Sequence, residues 1–442
     1  MSLDVLGFQG VRYTGDTAAV YREPSRDVQI RDLIPSGSNL LTKLLAGHVS
    51  TSPTTAQEFT WAMRIAPKFR GEIAAISSSA TTVTPLTSVT AYSTTFYIHC
   101  TPQLALQFSV DDTIRVSKVG ATGVVDVGGS IQGSVVENVY NLESTAATAR
   151  IKVVATSDNA TLSDEYNYVQ MAGNSRPEYS TVGTPVTWDP RPRSNYVQIF
   201  DATALATGSA QATKQVYGDA WADARRQAIE LFQFRQETGL LMSRRGIRNG
   251  SNNMPQRTMD GIEACIHRYS PENVFDITRA TNPIDADISA GTAFYEYGQD
   301  YLRNIMAQLN YYTSGDRMAL VGDKALLAIN TLVDHYPRTY YVIDEKSTTF
   351  GALFTRYRTP HGVIALNSHP FFKQNPLFDR VMMILDGNNL KRRVLRDTFT
   401  IKEGAGEGMR DGTGERLINE WGLEFHMPET AGIIYNFGVD KP

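Results

Sequence analysis

The sequence predicts an α+β chain in which a small all-β domain interrupts a larger mixed unit. Three observations predict it. From about residue 71 to 170, Ser, Thr, Val and Ala dominate and short strand-like runs recur between turn residues. One long amphipathic segment follows at 218–242. Beyond it, helical and strand patterns alternate to the end. A length of 442 residues suggests about two or three domains.

Residues 1 to about 38 mix charged and apolar side chains without a sustained period, and Pro24, Pro35 and Gly37 punctuate them. They read as an extended arm. In SNLLTKLLAGH, Ser38 or Asn39 can cap a short helix, Leu40, Leu41, Leu44 and Leu45 share one face, and Gly47 closes it. Phe59, Trp61, Met63 and Ile65 alternate with Thr60, Ala62 and Arg64, which predicts a strand with one apolar face. TTFYIHC, DTIRVSKV, SVVENVYNL and ARIKVVAT read as strands of the β domain. A Pro-rich extended run, PEYSTVGTPVTWDPRPRS, then leads into YVQIF. We expect the strand at 59–65 to pair with the strand at 196–200, so that the β domain lies between two arms of one hairpin.

GDAWADARRQAIELFQFRQETGLLM reads as one helix on the order of 40 Å long. At 100° per residue, Tyr217, Trp221, Ala224, Ala228, Leu231, Phe232 and Met242 fall on one face. Asp219, Asp223, Arg226, Glu230, Gln233 and Glu237 fall on the other. Gly246, Gly250 and Pro255 bound it. A second helix is predicted over 292–312, RMALVG is a buried strand, and Asp323 is placed to cap KALLAINTLVDH. Strands follow around TRYRTPHGVIALNS and RVMMILDG, then a Gly-rich loop at 403–414. In the last long strand Leu417, Trp421, Leu423 and Phe425 alternate with Ile418, Glu420, Gly422 and Glu424, and GIIYNFG closes the chain.

The net charge of −4 gives no general pull towards nucleic acid or anionic membrane. Cys100 and Cys265 are too few for a disulfide framework, which points to a reducing compartment. The N-terminus lacks a basic region followed by an apolar run, and no uncharged apolar stretch nears the roughly 20 residues of a membrane span. A soluble protein assembled inside a cell is expected.

Candidate chemistry is sparse. EGAGEGMRDGTGE resembles a phosphate-cradling loop, but no Gly-Lys-Ser/Thr follows and the segment leads into a strand, so a loop between strands is expected. His48, His99, His267, His335, His361, His369 and His426 form no HxxxH or HExxH pair, and His99 and Cys100 alternate faces of a strand. There is no GxSxG elbow. Arg191, Arg193 and Tyr196 could form a basic-aromatic patch for nucleic acid, but Asp189 and the prolines favour an extended arm that docks on a neighbouring subunit. KRRVLRD at 391–397 reads as a solvated or subunit-facing charge cluster. No catalytic, cofactor-binding or metal-ligating residue is nominated, and no cofactor is expected.

The order of these parts resembles that of tailed-bacteriophage major capsid proteins, in the branch with a β domain inserted near the extended loop (E-loop). IPSGSNLLTKLLAGH followed by EFTW resembles the arm-to-E-loop entry, FSVDDTIRV the inserted barrel, and GDAWADARRQAIELFQFRQETGLLM the spine helix. MALVGDKALLAI, TPHGVIALNSHPFF and RVMMILDGNNLKRRVLRD resemble the axial domain, and EWGLEFHMPETAGIIYNFG the closing strands. The resemblance covers most of the chain by order and texture.

It implies the tailed-phage/herpesvirus-type major capsid fold: an N-arm and short helix at 1–56, E-loop arms at 57–75 and 171–203, and the inserted β domain at 76–170. A peripheral domain with the spine helix would occupy 204–258, an axial domain 259–400, and returning strands 401–442. The implied function is a structural, non-enzymatic subunit of an icosahedral head shell enclosing viral DNA. The alternatives are an encapsulin-like nanocompartment shell or a β-rich adhesin. The implied partners are other copies in hexamers and pentamers, met through N-arm and E-loop. Portal, scaffold and decoration proteins would join them, with packaged DNA bound without sequence specificity and no membrane. The implied location is the virion, assembled in host cytoplasm.

Overall fold

The computed structural model describes residues 51–79, 90–119, 130–139, 149–156, 166–180, 187–213, 218–279, 282–312, 315–335, 341–342, 348–349, 352–353, 355–373, 375–403 and 411–442. The N-terminal arm, the helix expected at 38–48, and Tyr217 lie outside the described residues. The chain divides into two compact units, Met1–Phe59 with Ser194–Pro442, and Thr60–Arg193.

The first strands are β1 (Thr51–Pro53) and β2 (Glu58–Met63). β2 alternates as its sequence requires: Phe59, Trp61 and Met63 are buried, but it ends at Met63 and Ile65 is exposed. Within the Thr60–Arg193 unit lie β3 (Arg70–Glu72), β4 (Ala75–Ser77), β5 (Thr95–Cys100), the short α1 (Pro102–Ala105), β6 (Asp112–Ser117), β7 (Ile131–Val139), β8 (Ala149–Ala155) and β9 (Tyr168–Asn174). They form one antiparallel sheet in the order β3-β9-β6-β7-β8-β5-β4. Alternate residues fill its core: Phe96, Ile98 and Cys100 from β5, Ile114 and Val116 from β6, Ile151 and Val153 from β8. Burial pushes the Cys100 thiol up to about 12, so it is inert packing, and neither cysteine is in a disulfide.

The strand β10 (Arg191–Tyr196) pairs with β2. This corrects the expected pairing of 59–65 with 196–200. One residue later the chain changes partner. Val197 donates its N–H to Gln57 O, and β11 (Gln198–Thr207) then runs along a different strand.

The remaining elements are α2 (Gly208–Ala212), α3 (Ala220–Met242), β12 (Gly246–Asn249), β13 (Pro255–Thr258), α4 (Ile262–Tyr269), β14 (Val274–Asp276), α5 (Pro283–Ala286), α6 (Phe294–Leu309), β15 (Arg317–Val321), α7 (Asp323–His335), β16 (Tyr341–Val342), β17 (Thr348–Thr349), β18 (Ala352–Leu353), β19 (Thr355–Thr359), β20 (Gly362–Ser368), β21 (Met382–Leu385), β22 (Leu390–Glu403), β23 (Gly412–Phe425) and β24 (Gly432–Tyr435). Asp323 is the first helical residue of α7 rather than its cap, and its carboxylate accepts from Ser368 Oγ at 3.1 Å.

Two sheets organise this unit. The first has the order β1-β22-β23-β11, with β11 at its edge, antiparallel to β23 from Gln198↔Trp421 to Thr207↔Gly412. The second has the order β14-β24-β21-β15-β20-β19-β16 and is mixed. Its central strands are covered on both faces. Leu320, Met383 and Ile433 join the core beneath α3 and α4, while Ala319, Val321, Met382, Ile384 and Ile434 join the core with α6 and α7. Burial on both faces is why MMIL is a continuous apolar run rather than an alternating one.

Candidate assembly interface

The long helix α3 is the element around which one side of this unit is built. Asp219 caps it, its carboxylate accepting from Trp221 N at 3.2 Å. The buried residues are Ala228, Phe232, Gln236, Glu237, Leu240 and Leu241. This corrects two assignments from the helical wheel. Glu237, expected on the wet face, is fully buried, whereas Leu231 is 44% exposed. Trp221 packs only half-buried at the margin of the core. The central aromatic is Trp421 of β23, 1% exposed and stacked on Phe200 at 5.4 Å. Gly239 lets β11 approach the helix: a Cβ there would stand 2.9 Å from the Phe200 ring. A glycine inside a helix costs about 1 kcal/mol against alanine, and close packing is the compensation.

Buried polar groups are satisfied in sets. Gln236 Oε1 accepts from Trp421 Nε1 at 3.2 Å and Asn419 Nδ2 at 3.0 Å. Glu237 pairs with His369 Nε2 at 2.9 Å, both side chains sealed from solvent. Asn195, also fully buried, donates to Leu423 O at 2.7 Å and Asp260 O at 3.1 Å, and accepts from Asp260 N and Tyr196 N at 2.8 Å each. One side chain thus ties β10, β23 and the turn after β13 together. Gly422 permits that approach, since a Cβ would meet Tyr196 O at 2.5 Å.

β23 also carries the buried carboxylates Glu415, Glu420 and Glu424, and the basic residues around them are engaged. Glu415 pairs with Arg225 at 2.8 Å, Glu420 with Arg396 at 2.7 Å, and Glu424 with both Arg393 and His426. Arg392 lies over the Trp421 ring at 4.8 Å. Arg392, Arg393 and Arg396 of the cluster at 391–397 are thus engaged within their own sheet. Burial pushes the Glu424 carboxyl up, but hydrogen bonds from His426 and Arg393, and their charge, outweigh it and hold the group below the usual carboxylate range.

A depressed pKa contributes stability that is fully present above the unfolded value, about 4.3, and is lost as pH falls through the folded value. Glu424→Gln should therefore destabilise the chain at pH 7, with the gap closing below about pH 4. Urea melts at several pH values test this; a gap that stays constant into acid would remove Glu424 from the account.

The described histidines lie in separate places. His267 Nε2 lies 2.8 Å from Tyr435 Oη, which donates to Glu263 at 2.8 Å. His335 stacks on Tyr295, and His99 sits in β5. His48 lies outside the described residues. Among the described residues no three His, Cys, Asp or Glu are grouped to hold a metal ion. Tyr196, weighed above as part of a basic-aromatic patch, lies beneath Arg245, whose guanidinium is 4.2 Å from the ring and also binds Glu58 at 2.7 Å. Arg193 is buried and Arg191 exposed. The Gly-rich segment joins the antiparallel strands β22 and β23, and residues 404–410 lie outside the described residues.

Several apolar side chains here also remain open to solvent. The edge strand β11 exposes Ile199 and Leu205, and α3 exposes Ile229, Leu231 and Phe234. Between them runs a groove lined by Ile199, Phe200, Phe234, Arg235 and Met242. Arg235 reaches across it to donate to Asp201 O at 2.6 Å. Sequence periodicity misses this surface, because it assigned Leu231 to the core.

The family model described as SU10 major capsid protein matches residues 12–438. The chain belongs to the SU10 major capsid protein family. A member-like relative, the major capsid protein of Pseudomonas phage PaMx41, is 23% identical over 265 residues, 54% of this chain and 58% of that protein. The match thus spans little more than half the relative's length. Among solved structures, the chain is similar to one titled Mycobacterium phage Bobi, at 7% identity and TM-score 0.41 over 94% of this chain and 96% of that one. It is also similar to the holo-SrpI encapsulin complex from Synechococcus elongatus, at 12% identity and TM-score 0.37 over 57% of this chain and 78% of that one.

Proposed function

We propose that this chain is the structural subunit of a phage head shell, assembling with copies of itself around DNA. Membership of a major capsid protein family supports the reading, and one observation in the molecule carries it. The edge strand β11 presents Ile199 and Leu205 to solvent, and α3 presents Leu231 and Phe234. An unpaired strand edge beside apolar side chains is a liability in a solitary protein and an asset in one that is covered by another copy. Self-association at many such contacts gives a stable shell even when each contact is weak. The role is structural and not catalytic.

On this reading the chain carries an N-arm at 1–56, E-loop arms at 57–75 and 171–203, an inserted β domain at 76–170, a peripheral domain at 204–258, an axial domain at 259–400 and returning strands at 401–442. Portal, scaffolding and decoration proteins and packaged DNA are further partners, in the virion and its assembly in host cytoplasm. Purified protein should form closed shells, or capsomers of five and six copies, under electron microscopy. A monomer by light scattering across wide ranges of concentration and salt, with no particles in the microscope, would overturn the reading. Shells loaded with an enzyme instead of DNA would favour a nanocompartment.

A further inference from the structure

We propose that the β12–β13 hairpin is a contact between subunits, and that it docks on another copy through exposed carboxylates that lie between Glu272 and Asp316 in sequence. The inference rests on the shell-subunit reading and assigns it a specific pair of surfaces.

The hairpin is a ribbon of two strands with no third strand on either side among the described residues, paired from Gly246↔Thr258 to Asn249↔Pro255. It leaves the end of α3, and its charge is one-sided. Residues 243–259 contain four arginines and no acidic residue, in a chain whose net charge is −4. Arg245 is accounted for by Glu58. Arg248 donates only to Gln256 of the facing strand, at 3.0 Å, and neither it nor Arg257 reaches a carboxylate among the described residues. Ile247 is 55% and Met254 63% exposed on the same ribbon.

Elsewhere the imbalance is reversed. Residues 271–316 hold seven acidic residues and two arginines. The carboxylates of Glu272, Asp287, Glu296 and Asp316 are exposed and make no ion pair among the described residues. Each chain therefore presents unpaired positive charge at one place and unpaired negative charge at another. Complementary surfaces on one polypeptide suit head-to-tail contact between copies, the kind that closes rings. Ile247 and Met254 favour a protein partner over nucleic acid. Phosphate contacts use the arginines alone, whereas apolar side chains gain from burial against protein.

The test is an assembly titration of the full chain, read by sedimentation and electron microscopy. Wild type is run first; its failure to assemble would overturn the shell-subunit reading and this inference with it. Arg248→Glu with Arg257→Glu should raise the concentration needed for half assembly by about tenfold or more at low salt, since small losses per contact multiply over a shell. The subunit's own melting curve should not move, and high salt should narrow the difference. Adding Glu272→Lys, Asp287→Lys and Asp316→Lys should return assembly to within about threefold of wild type. Glu296 is left in place because it sits in the first turn of α6, where a negative charge favours the helix.

Normal assembly of the double reversal would overturn the proposal, and so would a defect that the acidic reversals do not relieve. Normal empty shells that retain less DNA would assign the hairpin to nucleic acid instead. If the double reversal does not melt cooperatively, Arg248→Gln with Arg257→Gln gives the same readouts, with an expected rise of about threefold.

Discussion

Trp421→Ala should destabilise the unassembled subunit by about 3–5 kcal/mol, as for a large aromatic removed from a packed core. Its ring stacks on Phe200, its Nε1 donates to Gln236, and Arg392 lies over its face. Removing it opens a cavity where α3, β11 and β22 meet, and leaves Gln236 Oε1 with one donor fewer. Trp221→Ala should cost less, about 1–2 kcal/mol, because that side chain is only half-buried. Denaturant melts of the two variants decide the matter. Equal losses would mean that the core is not centred on β23.

Asn195→Leu should cost a similar amount for a different reason. The side chain is close in volume to leucine, so little space is created. What is lost is four hydrogen bonds, two donated to Asp260 O and Leu423 O and two accepted from Asp260 N and Tyr196 N. An unsatisfied buried polar group costs about 1–3 kcal/mol, and several arise at once, so about 3–5 kcal/mol is expected. The loss should appear in the melting of the subunit, and the variant should free β10 from the turn at Asp260. Amide exchange at Tyr196 and Asp260 reads that release directly. Unchanged protection at both amides would show that the strand is held by other contacts.

These two residues mark the limits of what the sequence discloses. Trp421 is legible, because Leu417, Trp421, Leu423 and Phe425 alternate with polar residues over a long run. Asn195 is not: an asparagine in RPRSNYVQIF looks like any polar strand residue, and three of its four hydrogen bonds go to two distant residues, Asp260 and Leu423. The strands of the inserted domain are legible for the same reason as β23, since period-two alternation survives wherever one face is covered.

The faces of α3 are only half legible. A helical wheel assigns every charged residue to water, so it misplaces Glu237, whose burial depends on His369 from the loop after β20. It also places Leu231 on the core face, and so hides the exposure of that residue. The partner of β2 fails for a topological reason. The Pro-rich run reads as leading straight into the strand at 196–200, and the change of partner at Val197 leaves no local mark.

The pairing of β22 with β23 has a mechanical consequence. Their ladder extends from Leu390↔Phe425 to Glu403↔Gly414, and antiparallel hydrogen bonds lie perpendicular to the strands. A pull along the strand axis therefore loads these bonds side by side in shear, and they must yield together. A pull across the strands would open them singly from one end, like a zip. The register shifts at Val394/Arg396 and Arg396/Phe399 interrupt the ladder near its middle. Under axial tension the two halves should act as separate clamps in series, with the weaker one setting the force at which this part of the molecule gives way.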